Sequence, residues 1–392
     1  MRYDFDEIID RKNTNSLKYD FARQRGKSGD LFPLWVADMD FRAPKEVIKA
    51  LKDKAEHGIF GYSEPDESYW AAVCGWFKSR HGWVAEPENF VITCSVVAAI
   101  CALIRAVTKA GDAVIICQPV YYPFAESVTD NGRKLVVSQL SCNGGYYTPD
   151  FDDFEEKIIK NNVKAFILCN PHNPVGRVWT AEELERLGDI CLKHGVFVIS
   201  DEIHADFTYV GNKHVVFPTI KREFKDICAV CTAPTKTFNL AGLHIANTYV
   251  KNGIVRGQLQ KELAAQGFSQ PNIMGLVACK AAYGHGAEWL NKLKEYLAGN
   301  LRAAREYIEQ NLNGIKFIAP QGTYLLWLDC GGLKLSDGAL LDLFENKAKL
   351  WVDEGTVFGE GGSGFMRINM ACPRGQLLAA LESLKRALDG RG

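Results

Sequence analysis

Lys236 lies in a segment of small, hydroxylated and apolar residues, Thr232–Phe238, directly after the apolar run Ile227–Cys231. A lysine amine in such a place can form an imine with an aldehyde. A solvated surface lysine is the commoner case for this residue type, but the mostly uncharged flanks argue against it here. Lys236 is therefore a candidate catalytic residue.

Two other charged residues interrupt or follow apolar runs. Asp201 comes after Val196–Ile199, and a buried carboxylate is costly unless it is paired. Its partner could be a structural cation or a cationic ring nitrogen, and the sequence leaves both open. Arg367 lies inside the apolar run Phe365–Met370. A buried arginine needs an anion, and its planar fork matches a carboxylate.

Neutral polar residues follow three further apolar runs. Asn173 belongs to Asn170–Gly176, where two Asn-Pro pairs predict a rigid turn that holds an amide in place. Tyr121 and Tyr122 follow another run, where they could stack on a ligand or simply pack in a loop. Ser95 precedes a predicted helix, whose N-terminus suits a phosphate, although Ser95 could be only a cap.

The elements that must position these residues alternate along the middle of the chain. Short runs rich in Val and Ile predict buried strands at Phe90–Thr93, Ala113–Cys117, Ala165–Cys169, Val196–Ile199 and Ile227–Cys231. Helical patterns lie between several of them, at Val96–Thr108 and at Thr180–His194, where Thr180 and Glu183 form a capping box. This alternation predicts an α/β layer with a largely parallel sheet. In such sheets ligands bind at the carboxyl ends of the strands, where the candidate residues lie.

The last third of the chain has a different pattern. We expect a long helix at Ala287–Asn311, strands at Thr323–Leu328 and Phe365–Asn369, and a closing helix at Leu377–Leu388. These elements predict a second, smaller α+β domain. The domain division is therefore 44–286 for the large domain, and 1–43 together with 287–392 for the small one.

Bulk properties exclude several classes of protein. The net charge of -1 gives no electrostatic attraction to nucleic acid or to an anionic membrane. No apolar run approaches the roughly 20 residues that span a bilayer, and the charged first residues do not resemble a signal peptide. We expect a cytoplasmic protein. Cys228 and Cys231 have a spacing found in metal sites, but they lie in an apolar run and are expected to belong to a strand, so no metal is predicted.

Taken together, these residues resemble a known family over nearly the whole chain: the fold-type I pyridoxal phosphate (PLP) enzymes of the aspartate aminotransferase (class I/II) superfamily, and among them the MalY/PatB-like cystathionine β-lyase (C–S lyase) group. The motifs that carry the resemblance are Leu34–Phe41, Gly61-Tyr62, Pro119–Pro123, Asn170–Gly176, Ser200–His204, Lys236–Leu243 and Arg367–Pro373. The resemblance implies an α/β fold of the aspartate aminotransferase type, with a mostly parallel sheet flanked by helices and a smaller α+β domain.

The resemblance also implies a role for each site residue. Lys236 would carry the cofactor and shuttle protons, with Asp201 pairing with the pyridine nitrogen and Tyr121 stacking on the ring. Arg367 and the backbone around Ala37 would hold the carboxylate of the substrate. The remaining implied residues are Asn173 beside the ring oxygen and the substrate carboxylate, His204 in the cofactor site, Val96, Val97 and Thr235 at the phosphate, Tyr122 near the substrate, and Tyr62 reaching the phosphate of the neighbouring subunit in a homodimer.

The implied reaction is a β-elimination from cystathionine or other S-substituted cysteines, which releases a thiol, pyruvate and ammonia. An aminotransferase is the alternative, because both reactions need the same residues until after the Cα proton is removed. A purely regulatory protein that keeps the cofactor for structure is a further alternative. The intact set of Lys236, Asp201 and Arg367 argues against it.

Overall fold

The computed structural model describes residues 3–390 of the chain. The α-helices are α1 Lys45–His57, α2 Glu67–His81, α3 Val96–Val107, α4 Pro123–Thr129, α5 Phe151–Asn161, α6 Ala181–His194, α7 Pro234–Thr237, α8 Gly253–Ala265, α9 Ile273–His285, α10 Ala287–Asn311, α11 Asp337–Asp342 and α12 Arg374–Asp389. The strands are β1 Phe32–Pro33, β2 Phe90–Thr93, β3 Ala113–Gln118, β4 Lys134–Gln139, β5 Ser141–Asn143, β6 Tyr146–Thr148, β7 Ala165–Cys169, β8 Phe197–Asp201, β9 Cys228–Thr232, β10 Ala246–Val250, β11 Lys316–Ile318, β12 Leu325–Asp329, β13 Leu350–Trp351, β14 Asp353–Glu354 and β15 Phe365–Asn369.

The largest sheet has seven strands in the order β2-β10-β9-β8-β7-β3-β4. Its central strands are parallel, and β10 runs antiparallel to both of its neighbours. The predicted α/β architecture is confirmed, and each of the five predicted strands is present within one or two residues of its expected ends. Strands β4 and β10 were not predicted.

Both faces of this sheet are buried under helices. Ile115 and Phe166 belong to one apolar cluster, whereas the next residues along each strand, Ile116 and Ile167, belong to another. Strands of a sheet covered on both faces read as continuous apolar runs, which is why they were visible in the sequence. On one side α3 packs against α8 and α4, and on the other α9 packs against α1 and α2.

A second sheet of four strands, in the order β11-β12-β15-β14, is antiparallel throughout. Its strand β12 begins at Leu325, two residues later than predicted, because Thr323 has a positive φ of 65°. The long helix α10 matches its predicted bounds. Helix α12 begins at Arg374, three residues earlier than predicted from its first apolar residue, Leu377.

The N-terminal segment is fixed against the second sheet and the site. Strand β1 pairs in parallel with β13, and the amide of Asn369 donates to the carbonyl of Leu34 at 2.8 Å. The buried ammonium of Lys18 lies 2.8 Å from a carboxylate oxygen of Asp40. These contacts bring the residues around Ala37 to the carboxyl ends of the large sheet. Among residues 3–390, no helix combines the length and apolar character needed to cross a membrane.

Candidate active site

A cavity of about 290 Å³ lies between the carboxyl ends of the large-sheet strands, the N-terminal segment and the second sheet. Its volume is at the lower end of the range for small-molecule sites. The structure brings to it all the predicted site residues except Tyr62, namely Ala37, Val96, Val97, Tyr121, Tyr122, Asn173, Asp201, His204, Thr235, Lys236 and Arg367.

Lys236 enters the cavity from the short helix α7, and its Nζ donates to the carbonyl oxygen of Ala37 at 2.7 Å. Burial, together with the charge of Arg367, lowers the pKa of Lys236 to about 8, against the opposing charges of two carboxylates. The next residue, Thr237, ties α7 to the buried carboxylate of Asp206 by a 2.8 Å hydrogen bond. Lys236 is thus a positioned amine that loses its proton far more readily than a solvated lysine does.

Asp201 is the last residue of β8 and is 5% exposed. One of its oxygens accepts the backbone N–H of Ile203 at 3.1 Å. Burial raises the pKa of the Asp201 carboxyl to about 7, although the Ile203 hydrogen bond and the charge of Lys236 act against this rise. A carboxylate in this state is stabilised by any cation that enters the cavity.

Aromatic side chains form one wall of the cavity. The rings of Tyr121 and Tyr122 lie 5.5 Å apart, and the backbone N–H of Tyr121 donates to the carbonyl of Asn173 at 3.0 Å. His204 is buried, and its Nδ1 has no hydrogen-bond partner among residues 3–390. Burial and the nearby cations Lys236 and Arg367 lower the pKa of His204 to about 3, which keeps the ring neutral.

The N-terminus of α3 faces the same cavity. Ser95 is the N-cap, and its hydroxyl accepts the backbone N–H of Ala98 at 3.1 Å. The amides of Val96 and Val97 open the helix, where backbone N–H groups have no carbonyl acceptor within the helix. With Thr235 beside them, they form a place where an anion is favoured.

Arg367 crosses from β15 to the opposite side of the cavity and is 3% exposed. Its Nη1 donates to Oδ1 of Asn173 at 2.9 Å, and its Nη2 donates to the carbonyl of Trp35 at 2.8 Å and to Asp353. Its Nε has no partner among the described residues. The Asn173 contact joins the predicted amide and the predicted arginine directly.

Some residues of the cavity were not predicted from the sequence, and one predicted residue lies outside the cavity. Asp353 and Trp35 line the cavity beside Arg367, and His244 lines it near α7. No periodicity could have indicated Asp353, which lies in a two-residue strand. Tyr62 is 94% exposed and does not line the cavity of its own chain.

Comparison with known proteins identifies the family to which the chain belongs and several proteins that are similar to it. The family model of aminotransferase class I and II matches residues 30–384. The cystathionine β-lyase PatB of Bacillus subtilis (strain 168) is 41% identical over 385 residues, covering 98% of this chain and 100% of that protein.

Two solved structures extend this likeness to the whole fold. Cystalysin from Treponema denticola, which contains a pyridoxal 5'-phosphate cofactor, has a TM-score of 0.96 at 38% identity, with full coverage of both chains. The PLP-bound C–S lyase from Staphylococcus hominis has a TM-score of 0.92 at 33% identity, covering 99% of this chain and 98% of that chain.

Proposed function

The chain belongs to the class I and II aminotransferase family, and we propose that it is a PLP-dependent carbon–sulfur β-lyase acting on cystathionine or other S-substituted cysteines. The reaction is an α,β-elimination that yields a thiol, pyruvate and ammonia. The observation that carries the proposal is the convergence of Lys236, Asp201 and Arg367 on one cavity, in a chain 41% identical to a cystathionine β-lyase.

The residues of the cavity fit PLP. Lys236 supplies a readily deprotonated amine for the aldehyde, and the buried carboxylate of Asp201 is matched by a protonated ring nitrogen. The neutral His204 carries an unpartnered buried nitrogen that suits a polar atom of the cofactor. The amides of Val96 and Val97, with Thr235, suit its phosphate. Tyr121 would cover the ring.

The chain's own residues divide the chemistry between binding and proton transfer. When bound, PLP supplies an aldehyde that links to the substrate amine and a cationic ring that accepts the electron pair left at Cα. Arg367 and the backbone at Ala37 hold the substrate carboxylate, which orients the Cα–H bond toward Lys236. Lys236, whose amine would be freed when the substrate amine replaces it on the aldehyde, would take the Cα proton as a general base, and Asp201 would keep the ring nitrogen protonated.

Loss of the Cα proton is followed by cleavage of the Cβ–S bond. The sulfur leaves with both bonding electrons as a thiolate and acquires a proton. The three-carbon enamine would be released when the amine of Lys236 takes its place on the aldehyde, and it then reacts with water to give pyruvate and ammonia. Tyr122, at the cavity wall, is the proposed neighbour of the departing side chain.

We also propose that the protein acts as a homodimer in the cytoplasm. Tyr62 is a large, exposed side chain next to the exposed Ile59 and Phe60. An apolar loop of this kind is typical of a surface that another chain covers. In the dimer Tyr62 contacts the phosphate in the neighbouring subunit.

The distinguishing experiment is an assay of purified holoenzyme with cystathionine and no added 2-oxo acid. The lyase produces pyruvate and a thiol in equal amounts over many turnovers. An aminotransferase would turn over only when a 2-oxo acid acceptor is added, and that result would reject the lyase proposal. Absence of turnover on every amino acid, with the cofactor bound, would instead support a regulatory protein.

A further inference from the structure

In the guanidinium of Arg367, the nitrogen Nη2, which a bound carboxylate needs, already donates both of its hydrogens. Its Nη2 carries two hydrogens, and these are accepted by the carbonyl of Trp35 and by the carboxylate of Asp353. Its Nη1 donates to Asn173, whereas its Nε has no partner among residues 3–390. Nη2 is therefore the saturated nitrogen of the fork.

A carboxylate binds arginine bidentately through Nε and Nη2 or through Nη1 and Nη2. Both arrangements use a hydrogen of Nη2, so a substrate carboxylate must replace one of its two acceptors. The carbonyl of Trp35 belongs to a fixed stretch of backbone, because the amide of the preceding residue, Leu34, donates to the carbonyl of Trp351 at 2.7 Å. Asp353 is a side chain of the same charge as the incoming group, so it is the acceptor that yields.

We propose that Asp353 occupies Arg367 in the free enzyme and competes with the carboxylate of the substrate. Binding of an amino acid then requires Asp353 to give up its hydrogen bond with Arg367, and a proton taken up by Asp353 makes that loss easier. This inference rests on the proposed function, because it takes Arg367 as the ligand of the substrate carboxylate.

The surroundings of Asp353 favour proton uptake once the arginine is withdrawn. It lies in β14 directly opposite Arg367 in β15, and its side chain is 12% exposed. Burial already raises the pKa of Asp353 although Arg367 lowers it, so losing that partner raises the pKa further. The charged and titratable groups that interact electrostatically with it include, besides Arg367, Glu354, Lys27, Tyr121 and Tyr122.

The test measures binding of L-alanine to the holoenzyme by titration calorimetry, because alanine has no β-leaving group. Ethylamine, which is alanine without its carboxylate, is the control ligand. Asp353→Asn keeps the shape but removes the charge, so its amide oxygen holds Nη2 more weakly and is displaced more easily. We expect it to lower the Kd of alanine about tenfold, since like charges side by side oppose binding, and to change the Kd of ethylamine less than about twofold.

A proton count provides a readout that a purely structural role of Asp353 would not change. Titrations in buffers of different ionisation enthalpy should show that the wild type takes up more protons on binding alanine than Asp353→Asn does. Glu354→Gln is the matched control, because Glu354 is the neighbouring carboxylate and pairs in register with Met366 rather than Arg367. It should leave both the alanine affinity and the proton count unchanged.

Equal or weaker alanine binding by Asp353→Asn, with an unchanged proton count, would overturn the inference. Arg367→Ala separates this failure from failure of the proposed function. If Arg367→Ala weakens alanine binding and spares ethylamine, the carboxylate site stands without the competition. If it spares both ligands, the proposed carboxylate site itself is wrong. Should Asp353→Asn not fold, the wild type still decides: its affinity for alanine relative to ethylamine must rise as the pH falls.

Discussion

The Nζ atom of Lys236 donates to the carbonyl oxygen of Ala37 at 2.7 Å, across 199 positions of sequence. One partner lies in a helix that follows a strand of the large sheet, and the other lies in the N-terminal segment. The lysine that carries the proposed chemistry is thus in contact with the backbone proposed to hold the substrate. Folding of the N-terminal segment is therefore part of building the site.

The lowered pKa of Lys236 predicts how the apoenzyme captures PLP. Only the neutral amine attacks an aldehyde, and burial lowers the pKa of Lys236 to about 8. The capture rate should rise with pH up to about 8 and then level off. An ordinary lysine, with a pKa of about 10.4, would give a rate that still rises about tenfold between pH 8 and 9. Rapid mixing of apoenzyme with PLP from pH 6 to 10 measures this, and a rate still rising steeply above pH 9 would contradict the prediction.

Asp201→Asn should separate cofactor attachment from catalysis. The amide cannot supply the negative charge that keeps the ring nitrogen protonated, so kcat for elimination should fall by about 10²–10⁴. Covalent attachment to Lys236 should persist, as measured by mass spectrometry after borohydride reduction. Asp152→Asn, at a fully exposed aspartate, is the control and should retain activity. Wild-type kcat in Asp201→Asn would show that Asp201 has only a structural role.

Hybrid dimers test the proposed position of Tyr62. Tyr62→Ala should weaken PLP binding by about tenfold, the effect of one lost hydrogen bond to a charged group. Mixing Lys236→Ala chains with Tyr62→Ala chains should create one intact site per hybrid dimer if Tyr62 serves the neighbouring subunit. Activity should then reappear on mixing at limiting PLP. If Tyr62 serves its own subunit, every site stays defective and no activity is gained.

Asp206, which is hydrogen-bonded to the residue after Lys236, is expected to stabilise the folded protein. Its buried carboxylate accepts hydrogen bonds from Trp76 and Thr237 and contacts His81 at 3.1 Å. Asp206→Ala leaves those groups without a partner, so the free energy of unfolding should fall by about 3 kcal/mol at pH 7. Urea unfolding measures this, with Asp152→Ala as the exposed control. A loss below about 1 kcal/mol would show that the partners find other acceptors.

The contribution of Asp206 to the free energy of unfolding should depend on pH. Burial opposes ionisation of Asp206, but the contacts with His81 and Thr237 outweigh it, and the folded pKa lies below the ordinary value. Its stabilising contribution is complete above the unfolded pKa of about 3.9 and is lost as the pH falls through the folded pKa. The stability difference between wild type and Asp206→Asn should therefore shrink below pH about 4, as followed by urea unfolding. A difference that grows on acidification would contradict this assignment.

The sequence predicted the buried strands because their apolar runs mark burial on both faces. It placed their ends less well, since the hydrogen-bonded ladder of β8 continues through Ser200 to Asp201. Strand β10 escaped detection because it buries polar residues: Asn247 is fully buried and accepts the hydroxyl of Tyr69 at 2.7 Å. Burial of this kind depends on a distant partner, which periodicity does not reveal.

The residues of the candidate site, like the strands, were only partly predictable from the sequence. Residues that follow fully buried strands, such as Lys236 and Asn173, were found because parallel strands end at one edge of a sheet. Asp353 was not, because its contact with Arg367 depends on the register between β14 and β15. The division into domains 44–286 and 1–43 with 287–392 stays a prediction, as do the individual roles of the site residues.

Everything proposed for this cavity depends on Lys236 holding the cofactor aldehyde. The most direct measurement is borohydride reduction of the holoenzyme followed by peptide mapping of the labelled lysine. We predict one pyridoxyl phosphate per chain, on Lys236, with no label in Lys236→Ala and normal labelling in Lys292→Ala, where an exposed lysine forms an ion pair with Glu295. Label on another lysine, or full labelling of Lys236→Ala, would contradict the proposed site.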